Sequence, residues 1–262
     1  MLSYFRLIHA LTLVYMLCLP LSSLAGSFTV VPIKLYLSGE RKTATLEVEN
    51  NGSKAIAIQL SAKVWDQDAN GQDYYTNTRS IIFFPKIVRI EAQARQIIRV
   101  GYRPPQKAVV ANNELTFRLF LRELPKQIPG SSMVSTALNI GIPIFVAATS
   151  QSVAHATLHN PRVNNGAILQ LDVHNPSKQH IVVNSISALA KNLRGEVLFN
   201  REVRGWYVLP GITRPFQLEL PTADCADTAE LNIAVRIGEQ TLTRVLTNDP
   251  LWCSPALMAT GG

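Results

Sequence analysis

Apolar side chains recur every second residue along most of this chain, and that period belongs to half-buried β-strands rather than to helices. In "TATLEVEN", Ala44, Leu46 and Val48 share one face and Thr45, Glu47 and Glu49 the other. In "AIQLSAKVW", Ile58, Leu60, Ala62 and Val64 oppose Gln59, Ser61, Lys63 and Trp65. "ELTFRLFLREL" sets Leu115, Phe117, Leu119 and Leu121 against Thr116, Arg118, Phe120 and Arg122. Later, "AILQLDVHN" and "ELNIAVRIGE" alternate through Ala167, Leu169, Leu171 and Val173, and through Leu231, Ile233, Val235 and Ile237. Turn sequences such as "ENNGS" (49–53) and "DANG" (68–71) separate the runs. No twelve-residue amphipathic helix follows the first 25 residues. The expectation is an all-β protein of two immunoglobulin-like β-sandwich domains. Their seam is placed near residue 150, in "AATSQSVAHA", where the apolar run gives way to small polar residues.

The first residues, "MLSYFRLIHALTLVYMLCLPLSSLAGS", join Arg6 to an apolar run that ends at Pro20. Ser23 and Ala25 then occupy the small positions that a signal peptidase requires. Residues 1–25 read as a cleaved secretory signal; a membrane anchor is the competing reading, and the short run disfavours it. The proposed domains are then 26–149 and 150–262. The formal charge of +7 falls to +6 with Arg6 removed. Basic residues are scattered and no basic block occurs, so nucleic acid is not the expected partner. Cys225 and Cys253 remain after cleavage, and an exported protein meets an oxidising compartment, so a disulfide is expected. Closing that loop is worth roughly 3–4 kcal/mol in the chain-entropy model.

The chain carries no G-x-S-x-G, H-E-x-x-H, phosphate loop or dinucleotide fingerprint. His155, His159, His174 and His180 fit no zinc spacing and read as surface histidines. Asp66, Asp68 and Asp73 loosely echo a calcium loop but lack its distal glutamate, so a hairpin turn is the better reading. No metal, cofactor or catalytic residue is expected.

The segment "VSTALNIGIPIFVAA" (134–148) is different in kind. Val134, Thr136, Leu138, Ile140, Ile142, Ile144 and Val146 line one face, while Ala137, Asn139, Gly141 and Pro143 line the other. Proline has no ladder donor and is confined to edges, strand starts and bulges, so a central strand is disfavoured. A long apolar edge strand normally invites aggregation. The alternative is that it is offered to another protein by strand addition, with backbone bonds for affinity and alternate side chains for specificity.

At these residues the sequence resembles the periplasmic pilus-assembly chaperones, the PapD-like family of two immunoglobulin-like domains joined in an L. The resemblance is carried by "IKLYLSGERKTATLEVENNG", "FFPKIVRIEAQARQIIRVGYR", "NELTFRLFLRELP" with Glu114, Arg122, Glu123 and Pro125, and "VLPGITRPFQLEL". It implies that the last strand of the first domain completes a pilus subunit lacking its own final strand, until an outer-membrane usher takes the subunit over. By position the donor residues are Val134, Leu138 and Ile140, with Thr136 and Ile142 beside them. The resemblance implies no cofactor and no membrane insertion, and it leaves room for a self-capping dimer of the free protein.

Family members clamp the subunit's terminal carboxylate with an arginine on the first strand and a lysine on the last. Here Lys34 stands where the arginine does, and Pro143 stands where the lysine does. Lys34 binds a carboxylate only as a point charge, and Pro143 cannot bind one. Arg89, Arg118 and Arg122 are the other candidate cations; solvated surface arginines are the competing reading. These departures resemble the divergent archaic branch of the family. A secreted pilin or adhesin subunit remains the alternative function. It would carry a donor extension, whereas this chain enters its first strand at once in "SFTVVPIKL".

Overall fold

A computed structural model describes residues 28–104, 112–125, 137–149, 153–164, 166–225 and 227–247. The expected signal (1–25), Val134, Thr136 and Cys253 lie outside the described residues. The first sandwich contains, in chain order, β1 (Phe28–Val31), β2 (Leu35–Leu37), β3 (Thr43–Asn50), β4 (Ile56–Gln67), β5 (Asp73–Asn77), β6 (Ile81–Phe84), β7 (Ile87–Ile90), β8 (Arg95–Tyr102), β9 (Leu115–Glu123) and β10 (Asn139–Val146). One sheet runs β1-β3-β8-β6, and the other β2-β10-β9-β4-β5 with β7 on β4. The chain changes sheets between β1 and β2, so a single N-terminal segment edges both layers.

The second sandwich contains β11 (Thr157–Asn164), β12 (Ile168–His174), β13 (Ile181–Lys191), β14 (Val197–Arg204), β15 (Tyr207–Val208), β16 (Thr213–Glu219), the short helix α1 (Thr222–Cys225), β17 (Glu230–Ile237) and β18 (Gln240–Thr247). Its sheets run β11-β12-β16 and β14-β13-β17-β18, with β15 on β13. No described strand pairs between the two sandwiches. The chain is therefore all-β, with two immunoglobulin-like sandwiches.

Each sandwich buries the apolar faces that the alternation marks. Leu46, Val48, Ile58, Leu60, Phe117, Leu119 and Leu121 close the first core together with Ile142, Ile144 and Val146. Leu169, Leu171, Val173, Leu231, Ile233 and Val235 close the second. Buried Cys225 sits at the end of α1 in that core and is disulfide-bonded. "DANG" forms the β4–β5 turn, with the Gly71 N–H donating to the Asp68 carbonyl. Among the described residues no cluster of His, Cys, Asp or Glu is placed to hold a metal.

A third, smaller cluster was not anticipated. Trp65, Phe145 and Leu209 are buried together between the sandwiches. The β4, β9 and β10 sheet thus has two buried faces, one on its own core and one under the second domain.

Candidate functional site

Strand β10 is only partly an edge. It pairs antiparallel with β9 over its whole length, Asn139↔Arg122 to Val146↔Leu115. On its other flank β2 runs parallel and covers only Ile144–Val146, opposite Leu35–Leu37. Among the described residues nothing pairs with that flank over 139–143. The expectation of an edge strand needs correction at its C-terminal end, where β10 lies inside the sheet.

Pro143 is compatible with this position for a backbone reason. The Leu138 carbonyl accepts from Glu123 N–H on β9, and Ala147 N–H donates to Leu37 on the β2 side. Backbone groups alternate in direction along a strand. Even residues therefore bond to β9, and odd residues face the other flank. The donor missing from Pro143 is one that would point into the gap just before β2 begins. The open flank offers two N–H groups and two carbonyls, from Asn139 and Gly141; the Pro143 carbonyl is already taken by Leu35 N–H where β2 begins.

Side chains on the even positions grade from open to closed. Leu138 and Ile140 are partly buried against the edge of the core. Ile142 is 2% exposed and Ile144 0%. Ile142, expected among the donor residues, is thus a core residue of its own domain, since β9 and the opposite sheet already fill the space around it.

On the odd face the four candidate cations separate. Arg89 pairs with Glu91 at 2.8 Å on β7, its side chain 72% exposed. Arg122 is exposed on β9 opposite Asn139. Lys34 immediately precedes Leu35, and its Nζ lies 5.4 Å from the Tyr207 ring centroid. Arg118 is the one withdrawn from water, at 8% exposure. It lies opposite Pro143 in register. Its guanidinium carbon is 4.0 Å from the Trp65 ring centroid, 5.5 Å from Trp206 and 5.7 Å from Tyr75. Arg118 forms no ion pair among the described residues, and its buried Nε has no acceptor, nor has the adjacent Trp65 Nε1. Buried donors normally find partners, and these two have none among the described residues. Cation–π attraction of about 2 kcal/mol for a desolvated pair offsets part of the cost of the lone charge. Gly141 makes room: a Cβ there would stand 2.9 Å from Arg118 Cδ and 3.2 Å from Phe120 Cε1.

The second domain covers this face through polar contacts to Gln67 and Asp73. Gln67 Nε2 donates to Asp73 (2.8 Å) and to the Tyr207 carbonyl (3.0 Å), while its Oε1 accepts from Leu209 N–H (2.9 Å). Asp73 also accepts from Trp206 Nε1 at 2.8 Å and meets Arg214 at 3.4 Å. The aspartate that loosely suggested calcium is therefore an interdomain ligand for indole and guanidinium. At the other end, His180 Nδ1 lies 2.6 Å from Glu114 Oε2, with side chains 12% and 8% exposed. His180 is not a surface histidine. A further sequence signal existed for this face: Trp65, Phe120 and Phe145 all stand on the nominally polar side of adjacent strands.

A pair of immunoglobulin-like sandwiches, the first ending in a strand whose outer flank is half-open among the described residues, beside a buried arginine, defines a class of two-domain all-β proteins. Residues 27–150 match the family described as pili and flagellar-assembly chaperone, PapD N-terminal domain. These residues, just under half of the chain, thus form a domain of the PapD-like pilus-assembly chaperone family. The chain is similar to the chaperone protein PapD of Escherichia coli, 23% identical over 135 residues, which are 50% of this chain and 54% of that protein. The chain thus matches about half the length of that relative. Its fold is similar to a chain of the CsuC-CsuE chaperone-tip adhesion subunit pre-assembly complex, from archaic chaperone-usher Csu pili of Acinetobacter baumannii. There the TM-score is 0.54 at 19% identity, covering 84% of this chain and 98% of that one. It is likewise similar to a chain of the Salmonella enterica SafA pilin–SafB chaperone complex, with TM-score 0.55 at 15% identity, covering 86% and 99%.

Proposed function

We propose that this chain is a periplasmic chaperone that captures pilus subunits by lending β10, and hands them to an outer-membrane usher. The observation that carries the reading is the open flank at 139–143, in a domain of the pilus-chaperone family. Leu138 and Ile140, with Val134 and Thr136 before them, supply the side chains a subunit lacks. Ile142 acts from within the chaperone's own core. The leader at 1–25 would direct export, and the remainder works without a cofactor, without nucleic acid and without inserting in the membrane. The departures at Lys34 and Pro143 favour the archaic branch.

The orientation of the subunit follows from charge. The free flank ends where β2 begins, and the next residues in line are Pro143 and Lys34. A partner strand running parallel to β10 brings its C-terminus to that point; an antiparallel one brings its N-terminus. Lys34 immediately precedes β2 and Arg118 lies opposite Pro143 in register, and neither has an acidic partner among the described residues. Two cations favour a carboxylate over an ammonium, so the subunit's last strand enters parallel. Arg118, across the β9 ladder from Pro143, takes the place of the lysine that proline displaced. Its planar fork suits a carboxylate.

The test is co-expression with an immunoglobulin-like subunit lacking its last strand, encoded beside this gene, followed by affinity recovery. Wild type should retain the subunit. Arg118→Met should fold and lose most of it, with Lys34→Ala intermediate and Arg89→Ala unchanged. No retention by the wild type would sink the chaperone reading. Full retention by Arg118→Met would move the anchor elsewhere.

A further inference from the structure

We propose that His180 of the second domain is a positioning residue for β10. It holds the strand's closed end so that residues 139–143 stay extended and in register for a partner. This rests on the chaperone reading for its purpose, though not for its physics. Phe145 is the middle residue of the stretch where β10 has neighbours on both flanks, here Thr116 of β9 and Tyr36 of β2. Its ring is gripped from outside its own domain: His180 stacks on it with centroids 3.6 Å apart and planes 8° apart. Tyr36 stacks at 5.5 Å and Trp65 leans in at 6.1 Å.

What fixes His180 is again the first domain. Glu114 Oε2 accepts from the His180 backbone N–H at 2.9 Å and sits 2.6 Å from Nδ1. Glu114 N–H in turn donates to the Lys178 carbonyl at 2.8 Å. Glu114 immediately precedes β9, whose first residue pairs with the last residue of β10. The start of β9, the end of β10 and residues 178–180 of the second domain thus form a closed cycle of contacts. The open half of β10 has one hydrogen-bonded neighbour instead of two. Its order therefore depends on how firmly the continuous C-terminal half is held, because local opening propagates through the least-supported segment. The second domain, which shares no strand with β10, gains a role in keeping it presentable.

Amide hydrogen exchange on the full-length lone protein tests this. His180→Ala should speed exchange at Ile142, Ile144, Phe145 and Val146 by about fivefold, the loss expected of one aromatic stack. Leu231 to Val235 in β17 should not change. His180→Phe, which keeps a ring on Phe145, should restore protection; His180→Gln, which keeps only a polar group near Glu114, should not. If His180→Ala also disturbs β17, Phe145→Leu approaches the same stack from the first domain and should speed the β10 amides alone. Unchanged β10 exchange in both variants, or rescue by Gln equal to that by Phe, overturns the proposal. No subunit is present in these measurements. Failure of wild-type capture would therefore count against the chaperone reading only.

Discussion

Replacing Leu138 and Ile140 together by alanine separates lending a strand from merely having one. Both side chains are half-buried against the rim of the first core. Full burial of such a side chain is worth about 1.5–3 kcal/mol. About half of that remains to be gained on meeting a partner, roughly 1 kcal/mol each. The double variant should therefore bind a subunit about 30-fold more weakly, from a loss near 2 kcal/mol. The cost to the lone protein should be the smaller part, about 1–2 kcal/mol for the rim contacts already made. The assay is a competition titration of a purified subunit complex, paired with urea unfolding of the free protein. If affinity holds while stability falls, these residues serve their own core, and the donor face lies elsewhere.

Ile144→Ala, two positions beyond on the same face, should behave oppositely. That side chain is fully buried, so the change should cost about 2–5 kcal/mol of folding stability, seen as a lower urea midpoint. Gly141→Ala should push the Arg118 stem off Trp65, because the new Cβ would stand 2.9 Å from Arg118 Cδ. Overpacking of this kind costs about 1–3 kcal/mol, and the near-ultraviolet dichroism of the tryptophans reports the displacement. Gln67→Leu leaves Leu209 N–H without its acceptor and Tyr207 O without its donor, a penalty of about 1–3 kcal/mol. Calorimetry should then resolve two transitions where the wild type has one. Burial raises the Tyr75 phenol above its ordinary 10.0, with Arg118 opposing and Asp73 adding. The neutral phenol favours the folded form, so its contribution is complete below the ordinary value and is lost as pH rises through the folded one. Arg118→Met should delay Tyr75 ionisation further in an absorbance titration at alkaline pH.

The cores were legible because period two names a face. Leu46, Leu119, Leu171 and Ile233 are buried where the alternation places them. The outer face of β4, β9 and β10 was legible only in its aromatics Trp65, Phe120 and Phe145, because its burial comes from the second domain, far away in sequence. Trp65 stands among Gln59, Ser61 and Lys63, a pattern that reads as solvent-facing. Thr116 and Arg118 read as surface residues for the same reason, yet both are buried. His180 carries no local sign that Glu114, 66 residues earlier, is its partner. Pro143 was read correctly as a residue with a missing donor. Which flank the missing donor would face depends on ladder register, and a single sequence does not give that.

That register also explains how an open apolar strand is kept selective. The free flank is five residues long and ends at a proline, a combination that blunts edges in natural sheets. Two N–H groups and two carbonyls make at most four hydrogen bonds, each worth about 1 kcal/mol net. Association costs an estimated 4–15 kcal/mol in lost freedom, so the backbone alone does not hold a partner. The balance has to come from Leu138 and Ile140 meeting a groove, and from a carboxylate meeting Arg118 and Lys34. A stray strand edge supplies neither, and an internal segment has no terminal carboxylate to bring. The proposed client satisfies all three terms at once: a strand edge, an open core and a chain end at the right distance. If an antiparallel peptide with the same side chains and an amidated C-terminus bound as tightly as its parallel, free-acid counterpart, then the cations would play no part in selection, and the orientation argued from Lys34 and Arg118 would fall.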